Sequence, residues 1–299
     1  MFEAKKLVFY SAVSPVHMGA GQAVGAIDNP IQREVHTGHP LIAGSGLKGA
    51  VRHHFARHWK DDKLIARIFG PDRNASDHAG AIAFTDAALV AFPVRSLKNT
   101  YVYATCPTAL ARLKRMAGAP WAVPAVEDGA AKLASNSAVS NGRLVLEAFD
   151  FEAAEDPGAA QVAQWLSANA LPAGDEYAFF RDKLGADLVV LSDAEFAHFA
   201  RHATVVEPHV RINNDTGTAD DGGLFYTENL PPESLLAGLV LATVERRKKG
   251  AGEELLDADA ILAAVLGADR GLADQLLQVG GDATTGRGLV VVHPAGEGV

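Results

Sequence analysis

The chain has 299 residues, 48% hydrophobic and 21% charged, with 27 basic against 36 acidic residues for a formal net charge of −9. That is ordinary globular composition and excludes a mostly disordered chain, and no run approaches the roughly 18 consecutive apolar residues of a membrane span. A single cysteine, Cys106, excludes an intrachain disulfide and a thiolate metal cluster within one chain.

The N-terminal residues carry an early acid, Glu3, and lack a signal peptide's apolar stretch and cleavage site, so a cytoplasmic location is expected. Lys5 to Val13 is apolar on both of its faces and reads as a buried central strand, stopped by Ser14-Pro15. Val16 to Pro40 is a long Gly-rich loop without period, and loops of that kind in a compact domain are usually functional or disordered. Ser45 is placed to cap a helix in which Leu47, Ala50, Val51, Phe55 and Trp59 recur at helical spacing. Lys48 and Arg52, four apart, share another face of it.

Short strands follow at Ala81–Phe84 and Leu89–Phe92, residues 97–141 show no clear period and read as an insertion, and Leu144–Leu146 starts another strand. Residues 158–202 are helical by pattern around a strand at Leu188–Leu191. Residues 203–235 read as a hairpin, with Thr204–Ile212 leading out, a turn-rich Asn213–Gly223, and Leu224–Thr227 leading back. A strongly apolar strand at Leu235–Val244, helices at Ala258–Leu266 and Leu272–Leu277, and a strand at Gly288–Val292 complete the chain. Without its insertions the order is strand, helix, strands, helix, strand, which is the α+β, ferredoxin-like pattern shared with RNA-recognition modules.

The acidic balance argues on average against a nucleic-acid binder. Locally it reverses: residues 44–60 carry Lys48, Arg52, Arg57 and Lys60 and no acid, and Arg246 to Lys249 form a second basic knot behind Glu245. Two Gly-rich strings are near-misses to nucleotide-binding fingerprints. Gly19 to Gly25 has one residue too many, and Gly281 to Gly288 has Arg287 where a phosphate loop has lysine, with a strand and not a helix beyond it. The second string still lets backbone N–H groups approach an anion, with Arg287 adding charge, and phosphate contact is the favoured reading. The spaced pairs His54/His58 and His198/His202 could hold zinc but lack the accompanying glutamate of a metalloprotease helix, so core-edge histidines are the plainer reading. Asp28, in the loop string Asp28-Asn29-Pro30-Ile31-Gln32-Arg33-Glu34, is an acid that could position a hydroxyl, take its proton or bind a divalent ion. The plainer alternative is a turn-stabilising Asp28 and a surface ion pair between Arg33 and Glu34.

These strings occur in one order: His17-Met18-Gly19-Ala20-Gly21, then Asp28 to Glu34, then Pro40 to Gly49, then Gly280 to Gly288. Together they resemble the RAMP superfamily of CRISPR proteins. The Pro-Ile-Gln-Arg-Glu string and Phe225-Tyr226-Thr227-Glu228-Asn229 resemble, within it, the repeated backbone subunit of the type III-B (Cmr-type) effector complex. The resemblance implies a single RAMP domain over residues 1–299. Its ferredoxin-like palm would comprise 1–96, 142–157 and 235–299, with insertions at 97–141 and 158–202 and a β-hairpin thumb at 203–234. It implies stacking into a filament on CRISPR guide RNA beside other Cmr-type subunits, with no membrane partner. It also implies regularly spaced cutting of target RNA to a 2′,3′-cyclic phosphate, dependent on a divalent ion such as Mg²⁺ or Mn²⁺.

By the same resemblance Asp28 is the catalytic and metal-binding aspartate, joined by Glu228, Tyr226 and His17. RNA contacts are expected from Ser45, Lys48 and Arg52 at the basic helix, where orphan N–H groups favour phosphate, and from Arg33 and Arg287. The thumb holds Glu207, Asp215, Asp220, Asp221, Glu228 and Glu233 against Arg211 alone, so it is expected to wedge through apolar residues such as Val210 and Ile212 and not to grip phosphates. Gly46 stands where the family's motif commonly has a second serine, which removes one hydroxyl contact. The rival reading is a non-catalytic RNA-binding scaffold in which Asp28 only braces its loop.

Overall fold

Leu7 and Phe9 face one way from the first strand, Ala4–Ala12, and Val8, Tyr10 and Ala12 the other; all five are buried. A strand apolar on both sides must lie inside a sheet covered on both faces. The structure, a computed structural model, describes residues 2–21, 23, 25–72, 77–248 and 254–296. In it the first strand runs antiparallel between Leu235–Ala242 and Leu289–Pro294. Leu235–Ala242 pairs in turn with Ala87–Arg95. The short strands Leu41–Ile42 and Ile82–Phe84 are side pairings on this sheet.

The face of Val8 and Tyr10 is covered by the helices Gly44–His58, Asp62–Phe69 and Ala258–Leu266 through Leu47, Phe55, Ile68 and Ile261. Helices Pro107–Ala117 and Pro157–Asn169 cover the face of Leu7 and Phe9 through Leu110, Leu113, Val162 and Leu166. Helix Gly44–His58 carries Gly49 beyond its first turn, at a cost of roughly 1 kcal/mol in a helix interior. Burial of Leu47, Val51 and Phe55, at about 1.5–3 kcal/mol each, outweighs that cost. Gly44 itself is required by packing, since a Cβ there would fall 2.2 Å from the carbonyl oxygen of Phe84.

The aperiodic stretch 97–141 is ordered structure. It holds the strands Tyr101–Thr105 and Ala130–Leu133 and helix Pro107–Ala117, and it carries the sheet past Ala87–Arg95. The sheet continues through Leu188–Val190, Ala130–Leu133, Phe149–Glu155 and Arg143–Leu146, so 142–157 pairs with these strands and not beside the first strand. A second correction falls at Leu272–Leu277, expected as a helix: Gln275–Gln278 is an edge strand antiparallel to Leu289–Pro294. Leu272 and Leu276 have helical spacing, but a helix packed through Leu272 would bury Leu276, which is half exposed; the backbone instead pairs Leu276 with Val291 and Leu277 with Val290. Val205–Ile212 and Ala219–Asn229 form a separate two-stranded hairpin with a bulge between Val210 and Ile212. Among the described residues no helix is long and apolar enough to cross a membrane.

Candidate functional site

Two segments almost 200 residues apart meet at the root of the hairpin. The Tyr226 carbonyl accepts the Asn29 N–H at 3.0 Å, and the Asn29 carbonyl accepts the Glu228 N–H at 2.9 Å, so the long loop runs parallel to the returning strand. Asp28 is exposed, and its Oδ2 accepts the Tyr226 backbone N–H at 2.7 Å. Its other oxygen accepts no hydrogen bond among the described residues. The result is a carboxylate fixed in direction with one oxygen open.

Glu228 has a different environment. It is only 2% exposed. Oε2 accepts the Ile31 N–H at 3.0 Å, and Oε1 accepts from the Thr204 hydroxyl at 2.8 Å and from the Arg33 guanidinium. The Glu228 carbonyl lies 2.7 Å from His17 Nδ1. Since a carbonyl only accepts, Nδ1 carries the proton and Nε2 of the neutral ring is left as an acceptor. The Gly-rich turn holds the His17 backbone: the Gly281 N–H donates to the His17 carbonyl at 2.8 Å, and a Cβ on Gly280 would lie 2.2 Å from that oxygen. Gly280 also has φ +71°, so both geometry and space call for glycine there.

The expected RNA-contact residues divide into two sets. Ser45 is exposed in the first turn of its helix but does not cap it. The N-cap is Ala43, and the Gly44 N–H is bound by Asp86 Oδ1 at 2.8 Å, a carboxylate that offsets part of the helix N-terminal charge. Lys48 is half-buried with no acidic partner among the described residues; burial, then the neighbouring Arg52 and Arg246, hold its pKa below the usual lysine range. Arg246 of the second basic knot thus lies within electrostatic range of the basic helix, and Lys249 of that knot lies outside the described residues.

The other three cations are engaged within the chain. Arg52 pairs with Asp72 at 2.7 Å and donates to the Gly70 carbonyl. Arg287 makes two hydrogen bonds to Glu207, at 2.6 and 2.8 Å. Arg33 pairs with Glu228 and donates to the carbonyls of Gly38 and Ala200. The Arg33–Glu34 pair is absent, for Glu34 pairs instead with Arg112 at 2.6 Å.

On the hairpin, Val206, Pro208, Val210, Leu224 and Tyr226 share one face by register, and Ile212 follows beyond the bulge. Val210 and Ile212 are 45% and 54% exposed. Two of the six thumb acids are neutralised by Arg287 and Arg33, which composition cannot reveal. Asp86, Glu207, Thr204 and Arg112 were invisible as site residues because each works through a partner distant in sequence.

For a metal, the donor set is thin. Among the described residues no group of three or more His, Cys, Asp or Glu side chains converges. His54 and His58 stack at 4.1 Å and His198 and His202 lie 4.7 Å apart, each pair without a third ligand. The open oxygen of Asp28 is a single hard ligand. It fits Mg²⁺ or Mn²⁺ in the manner of sites completed by substrate phosphates and water, not as a resident protein cage.

The RAMP superfamily model matches residues 9–291. The CRISPR system Cmr endoribonuclease Cmr4 of Pyrococcus furiosus is 34% identical over 294 residues, spanning 96% of this chain and 94% of that protein. The crystal structure of oligomeric Cmr4 from Pyrococcus furiosus superimposes with a TM-score of 0.72 at 29% identity over 97% of both chains. A subunit of the type III-B Cmr-beta complex bound to cognate target RNA shares the fold, with a TM-score of 0.73 at 21% identity over 98% of both chains.

Proposed function

The chain belongs to the RAMP superfamily, and from that premise we propose that it is the repeated backbone subunit of a cytoplasmic type III-B CRISPR ribonucleoprotein, binding guide RNA and cutting complementary target RNA at regular intervals. The observation that carries this reading is Asp28: an exposed carboxylate, aimed by the Tyr226 N–H, at the root of a hairpin with an exposed apolar face. The order Leu289–Pro294, Ala4–Ala12, Leu235–Ala242, Ala87–Arg95, all antiparallel, supports a ferredoxin-like palm. In this reading residues 203–234 are the thumb and the strands and helices between 97 and 202 are the insertions.

The reaction is attack of a ribose 2′-oxygen on the adjacent phosphorus. The P–O2′ bond forms, the P–O5′ bond breaks, and the products are a 2′,3′-cyclic phosphate and a 5′-hydroxyl after the leaving oxygen takes a proton from water. Asp28 accepts the 2′-hydroxyl proton, and His17, donating Nδ1–H to the Glu228 carbonyl, holds the hairpin strand beside it in place. A divalent ion, Mg²⁺ or Mn²⁺, would have Asp28 as its protein ligand and would polarise the phosphoryl oxygens. Glu228, buried and fully engaged, is a positioning residue: it fixes Ile31 and Arg33 and thereby the loop carrying Asp28. Tyr226 aims Asp28 through its backbone, and its ring belongs to the wedge of Val210 and Ile212.

Asp28→Ala and Asp28→Asn in the assembled, guide-loaded complex test this. With radiolabelled target and Mg²⁺, cutting is expected to fall by about 10²–10⁴-fold with target binding retained. Cutting at the wild-type rate by either variant removes Asp28 from the chemistry. Intact target with the wild-type complex leaves the scaffold reading, in which the bond to Tyr226 only braces the loop.

A further inference from the structure

A cavity of about 580 Å³ opens beside the Asp28 loop. Ile27 and Pro30 form its apolar wall with exposed Val35 at the rim, and Arg201, beside the imidazole of His202, brings the positive charge from the last turn of the helix Asp193–His202. Burial and then the neighbouring His198, Arg201 and Arg33 hold His202 below the usual histidine range, so it serves as a neutral hydrogen-bonding group. Its acids are already matched, Glu34 by Arg112 and Glu228 by Arg33. Arg201 differs from Arg33, Arg52, Arg112 and Arg287 in having no carboxylate partner among the described residues. Cations in a last helical turn are often held by the carbonyls there, but Arg201 reaches away. Its guanidinium lies across Gly38, where a Cβ would fall 2.3 Å from Nη2. Gly38 also has φ +72°, so a left-handed glycine makes the seat for this side chain.

An unpaired guanidinium and an imidazole facing an apolar wall suit a nucleotide. The fork of arginine matches a phosphate bidentately, flat apolar surface accepts a base, and the volume falls in the range of small-molecule sites, roughly 300–1,000 Å³. We propose that this cavity seats the target-RNA nucleotide next to the scissile one, its phosphate on Arg201 and His202 and its base against Ile27, Pro30 and Val35. The inference rests on the function proposed above: the cavity shares Ile31 and Glu228 with the anchor of the Asp28 loop, so the strand offering its 2′-hydroxyl to Asp28 passes the cavity mouth.

Guide-loaded complexes with Arg201→Ala and Arg201→Lys test it, by target-RNA titration at several salt concentrations with guide affinity and light scattering measured alongside. Arg201→Ala is expected to weaken target binding about tenfold or more and to lower the log–log salt slope by about 0.7 per contact. Arg201→Lys, keeping the charge but losing the fork, should fall between, and guide affinity and assembly should not change. Since Arg201 makes no intramolecular hydrogen bond among the described residues, melting temperature should hold as well. Unchanged target affinity and slope overturn the proposal, as does an equal loss of guide affinity, which would make this a guide site. Loss of assembly alone would make it a seat for a neighbouring copy and overturn it too. If the wild-type complex binds target without cutting it, loss of target affinity in Arg201→Ala still upholds the cavity while the cleavage reading falls.

Discussion

Glu228 and Asp28 belong to the same hydrogen-bonded framework, yet they do opposite work. Asp28 is exposed with one oxygen open, whereas Glu228 is buried and holds Ile31, Thr204 and Arg33. Glu228→Gln leaves Arg33 partly buried without its countercharge. Breaking a fully buried pair costs about 3–5 kcal/mol, and with the Arg33 side chain 19% exposed the loss should sit at the low end. A lowered melting temperature is expected, with faster exchange of the Ile31 amide hydrogen, whose acceptor is the Glu228 carboxylate. Slower cutting with normal Ile31 protection would place Glu228 in the chemistry instead. The sequence marks both acids by their motifs but cannot rank them, because burial depends on Thr204 and Arg33 converging from other parts of the chain. Arg287 illustrates the same limit: read alone it is a phosphate contact, while in the fold Glu207, 80 residues away, occupies it.

At the scale of elements, the helix Gly44–His58 separates two cations that spacing treats alike. Lys48 stands beside Arg52 and Arg246 without an acid, whereas Arg52 ties the helix to the Gly70 carbonyl and to Asp72. Lys48→Ala should therefore reduce the salt slope of RNA binding by about 0.7 with little change in melting temperature. Arg52→Ala should do the reverse, losing about 1–3 kcal/mol of stability with the slope intact, the Asp72 bond contributing least because that acid is 82% exposed. Equal slopes for Lys48→Ala and wild type in filter binding would place Lys48 on a merely solvated face. Elements with a strong apolar period, such as Ala4–Ala12 and Leu235–Ala242, are legible from sequence because both faces are buried. Helix Pro107–Ala117 is less so: its buried face mixes Ala109 and Ala117 with Leu110 and Leu113, and alanines blur the period. Gln275–Gln278 misleads because a four-residue edge strand is too short to display alternation against the helical spacing of Leu272 and Leu276.

Across the whole molecule, the charge paradox resolves through pairing and stacking. A chain of net charge −9 has Arg33, Arg52, Arg112 and Arg287 committed to its own carboxylates, which leaves each copy in the proposed assembly a short cationic track around Lys48 and Arg246, together with Arg201 at the cavity. Such a track binds RNA poorly alone, because affinity for a polyanion grows with the number of phosphates neutralised. Repetition along one RNA supplies the missing contacts through effective concentration. The hairpin's exposed face of Val206, Val210, Leu224 and Tyr226 is taken by the RNA duplex in the function proposed above, so a neighbouring copy is met by other surface of the hairpin. A projecting hairpin that meets a different surface on the next copy gives a head-to-tail contact, and repeating that operation builds an open helix unless the rotation closes it. The purified chain is therefore expected to associate weakly alone and to form filaments when guide RNA or other complex subunits are added, with the transition suppressed as salt rises. Light scattering with and without guide RNA across a salt series measures this, and a monomer or closed dimer indifferent to RNA at micromolar concentration and low salt would contradict it.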